Sequence, residues 1–142
     1  MRDAYVLDAS VLAALYVEDE RTEESEAALA RIGDEADLHA PDLVVLEVAN
    51  VLWKRVRRGQ LRPDDAMRAI GDLAASEIRL HPIAIVAPQA LSLALAHGFT
   101  AYDASYVAVA TRVGGIVVTN DGGMRQRGIE AGLPVIAPSE LR

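Results

Sequence analysis

The sequence predicts an α/β fold, a single domain over residues 1–142 in which a central parallel sheet of four to five strands is flanked by helices on both faces. Three observations lead there. Short runs rich in Val, Ile and Leu alternate with longer helical patterns, as strand–helix–strand units require. Proline opens segments and glycine closes them, at Pro41 and Pro63 and at Gly59, Gly98 and Gly114. Finally, Asp8 and Asp121 each end an apolar run and Asp103 starts a helix, the positions from which an open parallel sheet builds its sites.

Residues 4–8 read as a buried strand and residues 9–17 as a short apolar helix with Asp8 or Ser10 as its cap. Thr22 to Ile32 reads as a helix whose early acids Glu23, Glu24 and Glu26 complement the helix dipole. Leu38 to Ala40 is a short strand, after which Pro41 opens a long helix to Arg58 that stops at Gly59. Pro63, Asp64 and Asp65 start a helix through about Ala75, and Ile78 to Ile83 is a strand. Residues 86–97 and Thr100 to Arg112 are helices ended by Gly98 and by Gly114-Gly115. Ile116 to Thr119 is the clearest strand, Gly122-Gly123 a turn, and a short helix ending near Gly132 leads to a last strand at Val135-Ile136.

A chain of 142 residues, 51% hydrophobic, suffices for one sizeable core. Without cysteine there are no disulfides, thiolate chemistry or sulfur-held zinc, which suits a cytoplasmic protein. His39, His81 and His97 are scattered without metal-ligand spacing and read as surface or half-buried residues. No apolar run approaches the ~20 residues that cross a bilayer, and none reads as a signal peptide. A net charge of -7 argues against a protein that coats nucleic acid, but leaves room for a nuclease with an acidic pocket and a local basic patch.

Asp8, Glu47, Asp103 and Asp121 are the candidate site. Asp8 and Asp121 belong at the carboxyl ends of strands; Glu47 interrupts the apolar stripe of Leu43, Val44, Val48, Val51 and Leu52 and points inward. Capping accounts equally well for Asp8 and Asp121, and for Asp103 with Thr100 at capping-box spacing. Glu47 has no such role, and its structural alternative is a buried ion pair with an arginine. Four clustered carboxylates repel one another, by up to ~4 kcal/mol per pair at close range, and a divalent cation reverses that sign. Oxygen ligands alone favour Mg2+ or Mn2+, with phosphodiester hydrolysis as the natural chemistry.

Ser10, Asn50, Thr119 and Asn120 lie near these acids, where they hydrogen-bond carboxylates or substrate or serve as ordinary cap and turn residues. Lys54, Arg55, Arg57 and Arg58 form the dense basic cluster, suited either to an RNA backbone or to compensating the helix C-terminus. Trp53 and the tyrosines are too dispersed for a stacking platform and read as packing residues.

Four strings carry a family resemblance: Val6-Leu7-Asp8-Ala9-Ser10, Glu47-Val48-Ala49-Asn50-Val51-Leu52, Tyr102-Asp103-Ala104-Ser105-Tyr106-Val107-Ala108, and Thr119-Asn120-Asp121. In this order, with an Ala-Gly-Leu-Pro-Val ending, they resemble the PIN-domain ribonucleases, more narrowly the VapC toxins of toxin–antitoxin pairs, over nearly the whole chain. The resemblance implies a PIN-like domain and Mg2+- or Mn2+-dependent endonucleolytic cleavage of RNA, often at a structured tRNA or ribosomal RNA site. It maps the acidic set onto Asp8, Glu47, Asp103 and Asp121, with Asp8 and Asp103 as direct metal ligands and the other two completing the site. It also implies a homodimer and a VapB-type antitoxin whose C-terminal segment occupies the groove. The chain departs from the family after the last acid, where Gly122-Gly123-Met124 replaces the common basic and aliphatic pair.

Two other functions compete with the nuclease. One is a catalytically silent PIN-like module that binds protein or RNA. The other is a phosphoacceptor receiver domain, disfavoured because Lys54, the only lysine, lies in the wrong region.

Overall fold

A computed structural model describes residues 2–16, 32 and 36–141. In chain order the elements are β1 (Ala4–Leu7), α1 (Ala9–Tyr16), β2 (Asp37–Pro41), α2 (Leu43–Arg57), α3 (Pro63–Ala74), β3 (Arg79–His81), α4 (Ile83–His97), α5 (Ala101–Val113), β4 (Ile116–Val118), α6 (Gly122–Glu130), β5 (Val135–Ile136) and a 3-10 turn (Pro138–Glu140). The helix expected over Thr22 to Ile32 lies outside the described residues except for Ile32, which is helical and buried.

The five strands form one parallel sheet with helices on both faces, as the sequence predicts, and their order is β3-β2-β1-β4-β5. β1 is central, Val6 pairing with His39 on one side and Val117 on the other. Successive strands move outward from β1 in one direction to β3, and β4 then returns to its other side. The switch in strand order therefore falls between β1 and β4, where open sheets leave a crevice at the strands' carboxyl ends.

α5 packs along β1, β2 and β4 and is buried from Ala104 through Ala110, with α4 laid against it. Its alanines let it approach the sheet closely, and Gly114 at φ +65° ends it in a left-handed cap. Gly115 then passes so near β1 that a Cβ would stand 2.6 Å from the Ala4 carbonyl oxygen. α1, α2 and α3 form a second packed group, whose core residues include Leu12, Val44, Val48, Leu52 and Leu73.

Several boundaries differ from the sequence reading for local reasons. Pro41 ends β2 rather than opening α2, and Asp42 forms the turn between them. The Asp42 side chain does not cap its own helix; its Oδ1 accepts the Ile83 N–H at 3.0 Å. That cap lets α4 begin at Ile83, three residues before the expected start, with Pro88 inside it. β3 stops at His81 because Pro82 has no N–H to continue the ladder. Gly122 and Gly123 are not a turn but the first two residues of α6. His39 and His81, expected apart, meet across β2 and β3 with Nδ1 and Nε2 at 2.9 Å, and His39 is buried.

Candidate functional site

Asp8 leaves the end of β1 only 6% exposed. Its Oδ1 accepts the Val11 N–H at 3.2 Å, so it does cap α1, and it also accepts the Ser10 hydroxyl at 2.5 Å. The Thr119 hydroxyl, from the end of β4, donates to the other oxygen, Oδ2. Both hydroxyls are themselves oriented by the β4–α6 loop: Asn120 N–H donates to Ser10 Oγ at 3.0 Å and Asp121 N–H to Thr119 Oγ1 at 2.9 Å. With backbone donors on their oxygens, both hydroxyl protons turn to Asp8. Burial raises the Asp8 carboxyl to about 6 even though these hydrogen bonds lower it, and the charge of Asp121 adds to the rise.

Asp121 caps α6, accepting the Met124 N–H at 3.1 Å. Thr100 caps α5 by accepting the Asp103 N–H at 3.1 Å, so Asp103 occupies the first turn with its carboxyl half-buried. Burial raises the Asp103 carboxyl, Asp121 raises it further, and Arg127 on α6 opposes both. Glu47 on α2 is likewise half-buried and raised by burial, with Asp103 adding to the effect. Its partner is not an arginine: Tyr106 on α5 donates its phenol O–H to Glu47 Oε1 at 2.8 Å.

The acids are thus electrostatically linked: the charge of Asp121 raises the Asp8 and Asp103 carboxyls, and that of Asp103 raises Glu47. As oriented, no three Asp, Glu or His side chains among the described residues stand close enough to hold one ion. Repulsion without a counter-charge favours such spacing. The donor set nevertheless suits a hard divalent cation: it is all oxygen, partly desolvated, and the Asp8, Glu47 and Asp103 carboxyls are raised in a way that a nearby positive charge would reverse.

Beside Glu47 a groove of about 800 Å³ runs along α2, lined by Ala9, Leu43, Leu46, Asn50, Lys54 and Tyr102 among others. Asn50 is exposed there, one turn from Glu47. The basic cluster divides: Lys54 faces this groove, Arg55 donates to Gln60 at 2.9 Å, and the Arg57 guanidinium lies 4.8 Å above the Trp53 ring. Trp53 is 52% exposed and Tyr102 65%, so neither is the packing residue its dispersion suggested. Sequence reasoning missed the placement of Tyr106 and Arg127. The available signal was spacing alone, since Tyr106 follows Asp103 by one helical turn.

The PIN domain family model matches residues 5–130. Ribonuclease VapC3 of Pyrobaculum aerophilum is 46% identical over 118 residues, which are 82% of this chain and 88% of the relative. Among solved structures, PAE2754 of Pyrobaculum aerophilum superposes with a TM-score of 0.70 at 26% identity, over 99% of this chain and 95% of its own. A toxin–antitoxin complex from Klebsiella pneumoniae shares the fold with a TM-score of 0.64 at 18% identity, over 94% and 97%. The match over residues 5–130 and the 46% identity agree: the chain belongs to the PIN-domain family, on its VapC-type branch.

Proposed function

We propose that the chain is a Mg2+- or Mn2+-dependent endoribonuclease, the toxin of a VapBC-type pair, hydrolysing RNA phosphodiester bonds at Asp8, Glu47, Asp103 and Asp121. The observation that carries this reading is the buried Asp8 carboxyl, held by Ser10 and Thr119 at the sheet's switch point and electrostatically linked to the other acids. A structural cap needs one accepting oxygen; Asp8 has both oxygens fixed, by groups from α1 and from the end of β4. The similarity to a protein named a ribonuclease supports the same conclusion.

In this reading Asp8 and Asp103 hold the ion directly, and Glu47 and Asp121 complete its surroundings. A divalent ion there would supply Lewis-acid polarisation of the scissile phosphate and lower the pKa of water. Ser10 and Thr119 keep Asp8 in one rotamer, Asn120 locks Ser10, and Asn50 and Lys54 hold the RNA backbone in the groove beside Glu47. Arg55, Arg57 and Arg58 extend the positive surface past Lys54 for a tRNA or ribosomal RNA substrate.

The same groove, apolar at Leu43, Leu46 and Tyr102, receives the C-terminal segment of a VapB-type antitoxin. Ile85, Leu91 and Leu95, exposed on α4, supply apolar surface for a homodimer. The cytoplasm is where such a toxin meets RNA and antitoxin; no single helix among the described residues is long and apolar enough to cross a membrane.

Mapping new RNA 5′ ends in cells expressing the chain tests the proposal: discrete ends that disappear in Asp103→Asn support it. A second reading, a catalytically silent PIN-like binding module, draws on the separation of the acids among the described residues. RNA binding without cleavage in the presence of Mn2+ would favour that module.

A further inference from the structure

Tyr106 lies mid-way along α5, 2% exposed, one turn beyond Asp103. A buried tyrosine usually finds a partner for its hydroxyl, which the ring carries beyond the reach of its own helix's carbonyls. Here the phenol crosses to another helix and donates to Glu47 Oε1 at 2.8 Å, a residue 59 positions away. A carboxylate oxygen accepts only, so the single phenol proton lies on this bond. One hydrogen bond therefore ties the middle of α2 to the core of α5, the helix that also carries Asp103.

Glu47 has three side-chain torsions and is only half-buried, so without this bond its carboxyl would sample several orientations, some into the groove. Resting on the metal-dependent nuclease reading, we infer that Tyr106 is a positioning residue, fixing the Glu47 carboxyl in one orientation toward α5 so that it is already ordered when a divalent cation draws the acids together. Packing alone would require only an aromatic ring; positioning requires the hydroxyl.

The test compares metal-stripped full-length wild type with Tyr106→Phe, using Mn2+ alone as the probe in calorimetric titration, alongside RNA cleavage at limiting and saturating Mn2+. Tyr106→Phe is expected to weaken Mn2+ binding by about 10- to 100-fold, the range for losing a group that orients a ligand. Saturating Mn2+ restores cleavage, and KM for RNA stays at the wild-type value. Tyr106→Met, which lacks the hydroxyl and packs differently, gives the same loss and serves if the phenylalanine variant does not fold. In a Glu47→Gln background, Tyr106→Phe causes no comparable further loss of Mn2+ affinity.

Wild-type Mn2+ affinity in a folded Tyr106 variant, beside a wild type that binds Mn2+ and cleaves RNA, overturns the positioning role alone. An equally large further loss in the Glu47→Gln background overturns it as well. A wild type that neither binds Mn2+ nor cleaves RNA overturns the nuclease reading and this role with it.

Discussion

The Thr119 hydroxyl donates to Asp8 Oδ2 across 111 residues of sequence while its own oxygen accepts the Asp121 N–H at 2.9 Å. One side chain thereby fixes a carboxylate at the end of β1 and the loop that carries the next acid. Thr119→Val keeps the shape but leaves Asp8 Oδ2 without its donor and the Asp121 N–H without its acceptor. The buried one, Asp8 Oδ2, costs about 1–3 kcal/mol when unpaired, while water can reach the exposed Asp121. Urea denaturation is expected to show a loss in that range, largely recovered in Thr119→Ser.

The raised Asp8 carboxyl makes a pH-dependent prediction. Its pKa is about 6 in the fold against 3.8 for the free side chain, so the folded state binds more protons between those values. Its favourable contribution is complete below 3.8 and lost as pH rises through about 6. At neutral pH the buried charge therefore opposes folding, by an amount on the order of 3 kcal/mol for a shift of about two units. Asp8→Asn retains an acceptor for the Val11 N–H and is expected to stabilise the metal-free protein at about pH 8, with a gain that shrinks toward about pH 4. Denaturation series at both pH values check this; a variant less stable than wild type at the higher pH would contradict it.

Gly122 and Gly123 stand at the start of α6, but a Cβ would meet different surroundings at each. At Gly122 nothing lies within 4 Å, whereas at Gly123 it would stand 3.3 Å from Asp121 Oδ1, the oxygen that caps the helix. Gly122→Ala is expected to raise stability by about 0.5–1 kcal/mol through helix propensity, without altering cleavage. Gly123→Ala presses on Asp121 and is expected to reduce cleavage. Thermal melts with parallel cleavage assays separate the two effects.

Lys54 and Arg55 are adjacent in sequence but differently engaged, Lys54 facing the groove and Arg55 donating to Gln60. With the inactive Asp103→Asn protein as background, Lys54→Ala is expected to lower the salt dependence of RNA binding by about 0.7 in log–log slope, the value for one phosphate contact on a single strand. Arg55→Ala should change the slope less. Equal slopes for Lys54→Ala and its parent would remove Lys54 from the RNA path.

Asp8 and Asp121 were legible in the sequence because each follows a run of apolar residues that could only be a strand, and parallel sheets gather side chains at those ends. Glu47 was legible as an acid on an apolar stripe, but its partner was not. Tyr106 sits among alanines and valines in a buried helix, where periodicity assigns it to the core whatever its hydroxyl touches. The extension of α4 to Ile83 was hidden for a similar reason, since its cap, Asp42, comes from the distant turn between β2 and α2. The meeting of His39 and His81 depends on the β2–β3 register, which pairs His39 with Arg79 and Pro41 with His81 and which no local pattern states. What pattern reading recovers is set by neighbours in sequence; what it loses is set by neighbours in space.

The most direct measurement is cleavage of RNA by the purified, metal-stripped chain with and without added Mn2+, beside Asp103→Asn shown by circular dichroism to be folded. The account predicts cleavage only with Mn2+ and its loss, by about 100-fold or more, in Asp103→Asn, as expected for removing a group that acts in the transition state. Cleavage by wild type without divalent ions, or unchanged cleavage by the folded Asp103→Asn protein, would contradict it.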